Sequence, residues 1–285
     1  MNTHLELWQF IADRLDRDQP VMLLTVAESS GSSPGRQGYK MAVAGDDELF
    51  GSIGGGVMEV NLVEQSRALM SEPPASAGGQ FHLKAQLIEQ VHQMNSPNAS
   101  GMICSGKQTV IVRLLNPVDR DHVIAAARSV AAHKRYVVEI TTQKFSVGPP
   151  EGGTPNFEFE KLNENEFVYR ERLGPKNDLY IVGGGHCSLA LSELMARLGF
   201  RITIFDDRPE LNTIEKNRFA HEIRIIDAYE YIGDLIGPGT DTYVVVMTIG
   251  YASDEVAIRS LIFKPLKYLG VLGSRAKMAK LLQTL

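Results

Sequence analysis

In Leu179-Tyr180-Ile181-Val182-Gly183-Gly184-Gly185-His186-Cys187-Ser188 a short apolar run meets three glycines and then a segment of helical periodicity. A buried strand, a tight turn and a helix in that order open a dinucleotide-type α/β fold. Gly183 permits the turn, Gly185 lets main-chain amides approach an anion, and Ser188 is small enough to stand where a glycine or alanine packs helix on strand. Cys187, Leu191, Leu194 and Leu198 follow at helical spacing, which predicts an apolar stripe turned to the sheet, with Cys187 in the core. The helix N-terminus is then left to face a ligand crevice, where unpaired amides and the dipole favour an anion, and where His186 is either a ligand contact or a turn residue.

Outward from this stretch the pattern repeats. Arg201 to Phe205 reads as the second strand, and Asp206 ends it where an acid accepts hydrogen bonds from a ribose, with Arg208 two positions on. Further strands are expected over Ile223 to Ile226, Thr242 to Thr248 and Tyr268 to Leu272, with helical segments near Ile214, Tyr229, Ala257 and Ala279. Such alternation implies right-handed crossovers and a doubly wound parallel sheet, a Rossmann-like nucleotide-binding domain over residues 178–285. The competing reading is a packed turn in a fold without a ligand, with Asp207 and Arg208 a solvated pair.

Upstream the order is less regular. Leu5, Trp8, Ile11, Ala12 and Leu15 predict an amphipathic first helix with Trp8 as a core anchor. Strands are expected over Val21 to Ala27, Lys40 to Ala44 and Glu48 to Ser52, the first two separated by a punctuated loop from Glu28 to Gly38. A helix follows Gly54-Gly55-Gly56, running from Val57 to Met70, and Leu83, Leu87, Ile88 and Val91 suggest another, short and peripheral. Thr109 to Leu115 reads as a strand, Val118 to His133 as a helix and Tyr136 to Thr142 as a strand, so residues 1–147 form a mixed α/β domain. Gly148 to Pro155 carries three prolines and three glycines, marking a linker over 148–177 that includes a hairpin from Asn156 to Arg170.

Composition narrows the function. The 285 residues are 44% hydrophobic and 22% charged, enough apolar material for two cores and unlike a disordered chain. A net charge of -5 gives no basic field for nucleic acid or anionic lipid. No apolar run approaches the roughly 20 residues that span a bilayer. Two cysteines, Cys104 and Cys187, cannot build a structural zinc cluster, the histidines show no metal-binding spacing, and reduced thiols suit a cytoplasmic protein.

Two more places offer main-chain donors. In Gly270-Val271-Leu272-Gly273-Ser274-Arg275, Ser274 and Arg275 form either an anion site at a helix start or an ordinary cap beside an exposed arginine. In Gly31-Ser32-Ser33-Pro34-Gly35-Arg36 and Gly51-Ser52-Ile53-Gly54-Gly55-Gly56, either Ser32, Ser33, Arg36 and the amides of Gly54 to Gly56 converge on a ligand, or tight turns alone explain the glycines. Cys104 lies in a turn before a strand, where it is either a buried thiol or an exposed one able to ligate or carry sulfur.

Taken together, the Gly31-Ser32-Ser33-Pro34 and Gly51 to Gly56 motifs, the late Gly183-Gly184-Gly185-His186, Asp206-Asp207-Arg208 and Gly273-Ser274-Arg275 resemble the XdhC/CoxI family. The resemblance implies an N-terminal XdhC/CoxI domain joined to a Rossmann domain. It further implies a non-catalytic chaperone that binds molybdenum cofactor, as molybdopterin or its dinucleotide form, supports its sulfuration and inserts it into a xanthine dehydrogenase-type apoenzyme. A cysteine desulfurase would be the second partner, and a homodimer is compatible with the pattern. Where many relatives carry a cysteine this chain has Val57, and where they often have Thr-His it has Thr248-Ile249, so any thiol role falls to Cys104. The alternative from the residues alone is an NAD(P)-dependent oxidoreductase using Asp206 for ribose, although nothing obvious supplies its acid or base.

Overall fold

The computed structural model describes residues 3–71, 85–92, 106–151 and 155–285, in two units, Met1–Gly174 and Pro175–Leu285. The first unit contains α1 (Thr3–Leu15), β1 (Val21–Gly31), β2 (Lys40–Ala44), β3 (Leu49–Gly51), α2 (Gly56–Ser71), β4 (Gln86–His92) and β5 (Gly106–Leu115). It continues with α3 (Arg120–Ala131), β6 (Tyr136–Thr141), β7 (Phe145–Gly148), β8 (Phe157–Lys161) and β9 (Phe167–Leu173). Five strands pair in the order β3-β2-β1-β5-β4, and four in the order β7-β6-β9-β8. Trp8, Ile11 and Leu15 of α1 are fully buried, as their spacing requires, in a core shared with α3 and strands of both sheets. The opposite face of the five-stranded sheet packs Met22, Leu24 and Val110 against Leu62 and Val63 of α2.

Three sequence expectations are corrected here. The segment read as a short helix is the edge strand β4, antiparallel to β5 with Leu87 opposite Ile111. Leu87 and Ile88 serve cores on opposite faces of the sheet, as strand geometry demands of neighbours, and this leaves no polar alternation to read. β1 runs on to Gly31 through a register shift at Val26/Glu28, so the punctuated loop is shorter than expected. The hairpin of the expected linker is present as β8 and β9, but β9 pairs with β6, which builds these residues into the first unit up to Gly174.

The second unit contains β10 (Asp178–Val182), α4 (His186–Arg197), β11 (Arg201–Asp206), α5 (Asn212–Glu215), β12 (Glu222–Ile225) and α6 (Ile232–Leu235). β13 (Gly239–Val246), α7 (Tyr251–Leu261), β14 (Leu266–Val271) and α8 (Arg275–Thr284) complete it. Its strands are all parallel in the order β12-β11-β10-β13-β14, the doubly wound order with its switch point between β10 and β13. Apolar residues on both faces bury it: Ile181, Ile202 and Ile204 on one, Val182, Phe205 and Val244 on the other. The stripe expected on α4 is rotated. Cys187 is exposed, Leu194 and Leu198 are 60% and 70% exposed, and the packed face carries Ser188, Leu191, Ser192 and Met195. Small serines let the helix approach its neighbours, and Ser192 donates to the Ser188 carbonyl while accepting from Asn217 at 3.0 Å. No helix among the described residues is long and apolar enough to cross a membrane.

Candidate functional site

At the switch point the chain leaves β10 through Gly183, whose φ of 110° belongs to the region that glycine tolerates. A Cβ there would lie 2.5 Å from the Met247 carbonyl oxygen, so the turn is pressed against the end of β13. The Gly184 amide donates to Asp206 Oδ2 at 2.6 Å, and its carbonyl accepts from Thr213. Gly185 differs. It is the N-cap of α4 in extended conformation, no side chain caps the helix, and a Cβ on it would meet nothing within 4 Å. The start of α4 is therefore open at Gly185, where His186 and Cys187 are exposed and Ser188 is buried, with the positive end of the dipole behind it. His186 is exposed at this mouth.

Asp206 is fully buried at the end of β11 and already saturated. Oδ1 accepts from the Arg208 amide at 2.9 Å and Nε at 2.8 Å, and Oδ2 accepts from the Gly184 amide and Arg208 Nη2 at 2.7 Å. Burial alone would raise this carboxyl, but the Arg208 guanidinium and the two amides outweigh it and hold it below the ordinary carboxylate value. Tyr229 donates to Asp207 at 3.0 Å, and burial pushes its phenol upward, followed by the nearby Asp206 and Asp207 charges.

The end of β13 carries a cluster that sequence reading missed. Thr248 donates through its amide, at 3.0 Å, and its hydroxyl to Asp254 Oδ1, while the fully buried Asp254 pairs with Lys277. Only the spacing Thr248 to Asp254 across a helix start hinted at it. Ser274 caps α8, its hydroxyl accepting from the Lys277 amide at 3.3 Å, and Arg275 beside it is exposed. Ile249 is 79% exposed. An apolar cleft of about 580 Å³ on the same unit, lined by Leu191, Met195, Tyr243, Tyr268 and Leu272, is poor in polar groups and unsuited to a phosphate.

In the first unit the two glycine motifs do meet. A Cβ on Gly35 would stand 2.2 Å from the Ile53 carbonyl oxygen, and one on Gly54 would stand 2.4 Å from the Gly35 nitrogen. Yet the donors are turned inward. Glu59 Oε2 accepts from Ser52 Oγ at 2.7 Å, Ile53 N at 2.8 Å and Gly55 N at 3.0 Å, a carboxylate from the following helix filling the loop. Ser33 is buried and donates to Gln108 at 2.8 Å, which in turn donates to Gln90 at 2.7 Å. Ser32, Arg36 and Gly56 are exposed and Gly54 is partly so. Cys104 lies outside the described residues. Glu59 stands in the first turn of α2, and nothing in the sequence names its partners.

Comparison with known proteins bears on both units. The XdhC Rossmann domain matches residues 179–285, and the XdhC and CoxI family matches residues 14–75. Uncharacterized protein YqeB of Escherichia coli K12 is 21% identical over 272 residues, covering 95% of this chain, which spans 37% of that relative's length. A probable xanthine dehydrogenase subunit of Bacillus subtilis 168 is 23% identical over 290 residues, covering 94% of this chain and 84% of the relative. A solved structure from Bacillus halodurans, described as a xanthine dehydrogenase, shares the fold with a TM-score of 0.63 at 22% identity, covering 99% of this chain and 85% of that one.

Proposed function

The chain belongs to the XdhC and CoxI family, and from that premise we propose that it is an accessory protein of a xanthine dehydrogenase-type molybdenum hydroxylase, holding molybdenum cofactor and delivering it to the apoenzyme. Its relatives named for xanthine dehydrogenase support the association with such an enzyme. One observation carries the binding step: the uncapped start of α4, with open space at Gly185. The cofactor's phosphate suits the open start of α4 at Gly185 to Cys187, because a helix N-terminus offers fixed donors and the positive end of its dipole. The glycine loop of the first unit does not fit a phosphate as it stands, since Glu59 already occupies its amides.

When bound, the cofactor supplies the metal centre that the client enzyme needs, and this chain's part is to hold and release it. His186 at the mouth of the crevice can hydrogen-bond the ligand from the side. Support for sulfuration, in company with a cysteine desulfurase, belongs to the same reading, with Cys104 the thiol to follow.

Purified full-length chain mixed with molybdopterin released from a donor enzyme is expected to retain the pterin through gel filtration. Gly185→Val should cut retention by about tenfold, the effect of losing one or two charge-assisted hydrogen bonds. Its melting temperature should stay near the wild-type value, because the added side chain enters open space. Equal retention by the variant would remove the α4 site. Micromolar binding of NADH without pterin uptake would select the NAD(P)-dependent oxidoreductase instead.

A further inference from the structure

Building on the phosphate site of that reading, we infer that Arg208 is the specificity-determining residue of the second unit, locked on Asp206 so that the crevice holds its ligand by phosphate and does not read a ribose diol. A carboxylate offers about four lone-pair sites. All four on Asp206 are in use, by Arg208 N and Nε on Oδ1 and by Gly184 N and Arg208 Nη2 on Oδ2. A ribose presenting two hydroxyl donors finds no acceptor there. To make one it must break a two-pronged ion pair on a buried carboxylate.

The lock is held from both sides. Arg208 approaches Asp206 through its backbone as well as its side chain, which fixes the guanidinium in one place. On the other side Gly184 is pinned by its amide to Asp206 and by its carbonyl to Thr213, and Ile214 packs so close that a Cβ on Gly184 would stand 2.6 Å from it. Two of the five guanidinium N–H donors point at Asp206. The side chain as a whole remains 32% exposed. The ligand class that follows is a phosphate ester recognised through its phosphate and not through an adjoining ribose.

The test is calorimetry on the full chain with inorganic pyrophosphate, ADP and 2′,3′-dideoxy-ADP. Pyrophosphate should bind, and ADP should bind within about threefold of its dideoxy counterpart, because no diol is read. In Arg208→Ala, or Arg208→Gln if the alanine variant fails to fold, Asp206 is released and ADP should gain about tenfold over dideoxy-ADP. A tenfold diol preference in the wild type, absence of pyrophosphate binding, or a variant that gains no diol preference would each overturn the inference. Failure of molybdopterin uptake with this pattern intact would instead remove the carrier reading and leave Arg208 its role.

Discussion

Asp206 shows how little of a site's behaviour rests on residue type alone. An acid after the second strand reads as a ribose acceptor, yet its partner two residues on has already claimed both oxygens. The same contact sets a pH dependence. A carboxyl held below its unfolded value, which is about 3.9, stabilises the folded state above that pH and loses the contribution as pH falls through the depressed folded value. In Arg208→Ala the guanidinium no longer opposes burial, so the folded value rises and the advantage shrinks. Stability at neutral pH should drop by about 1.5–3 kcal/mol, the usual worth of hydrogen bonds to a charged group. The gap between wild type and variant should close on acidification below about pH 4. Thermal melts at pH 7, 4 and 3 decide it; a constant gap would mean that Arg208 acts by packing rather than charge.

At the scale of elements, the parallel strands were legible because burial on both faces writes them as unbroken apolar runs, as in Leu179 to Val182 and Tyr243 to Met247. The glycine turn was legible for a chemical reason, since few other residues accept the φ of Gly183. β4 was not, because Leu87, Ile88 and Val91 fall at spacings that suit a helix as well as a strand serving two cores. The face of α4 was misread because its most buried positions are Ser188 and Ser192, while Leu194 and Leu198 are exposed. Nor could spacing reveal Glu59 in the glycine loop or Lys277 on Asp254, since those pairings depend on which elements meet. The α4 assignment has a direct check. Leu194→Ser with Leu198→Ser should leave stability within about 0.5 kcal/mol, whereas Ser192→Leu should cost about 1–3 kcal/mol by overpacking. Urea denaturation followed by far-UV circular dichroism measures both; a large loss in the double serine variant would put those leucines back in the core.

Over the whole chain, two sheets and two helices of the first unit share one apolar core, and a buried ionic contact ties the sheets together. Lys40 on β2 pairs with Glu171 on β9, their side chains 1% and 2% exposed, and Tyr169 donates to the same carboxylate at 2.9 Å. Burial pushes the Tyr169 phenol well up, and the Glu171 charge adds to it, so this proton stays in place as the donor. Lys40 also donates to the Gly38 carbonyl at 3.0 Å. Desolvating two charges is expensive, so the pair is weak as a net source of stability but costly to break on one side. Glu171→Leu should therefore destabilise the first unit by about 3–5 kcal/mol, because it strands a buried ammonium. Adding Lys40→Met should recover most of that loss, since the double variant removes the charge that had to be desolvated. The chain's single tryptophan, Trp8, is fully buried in this same core, so its fluorescence reports the unfolding of this unit directly. If the double variant proves as unstable as Glu171→Leu alone, the pair is required for the docking of β9 against β2 rather than merely tolerated there, and a solvation argument does not explain its place in the core.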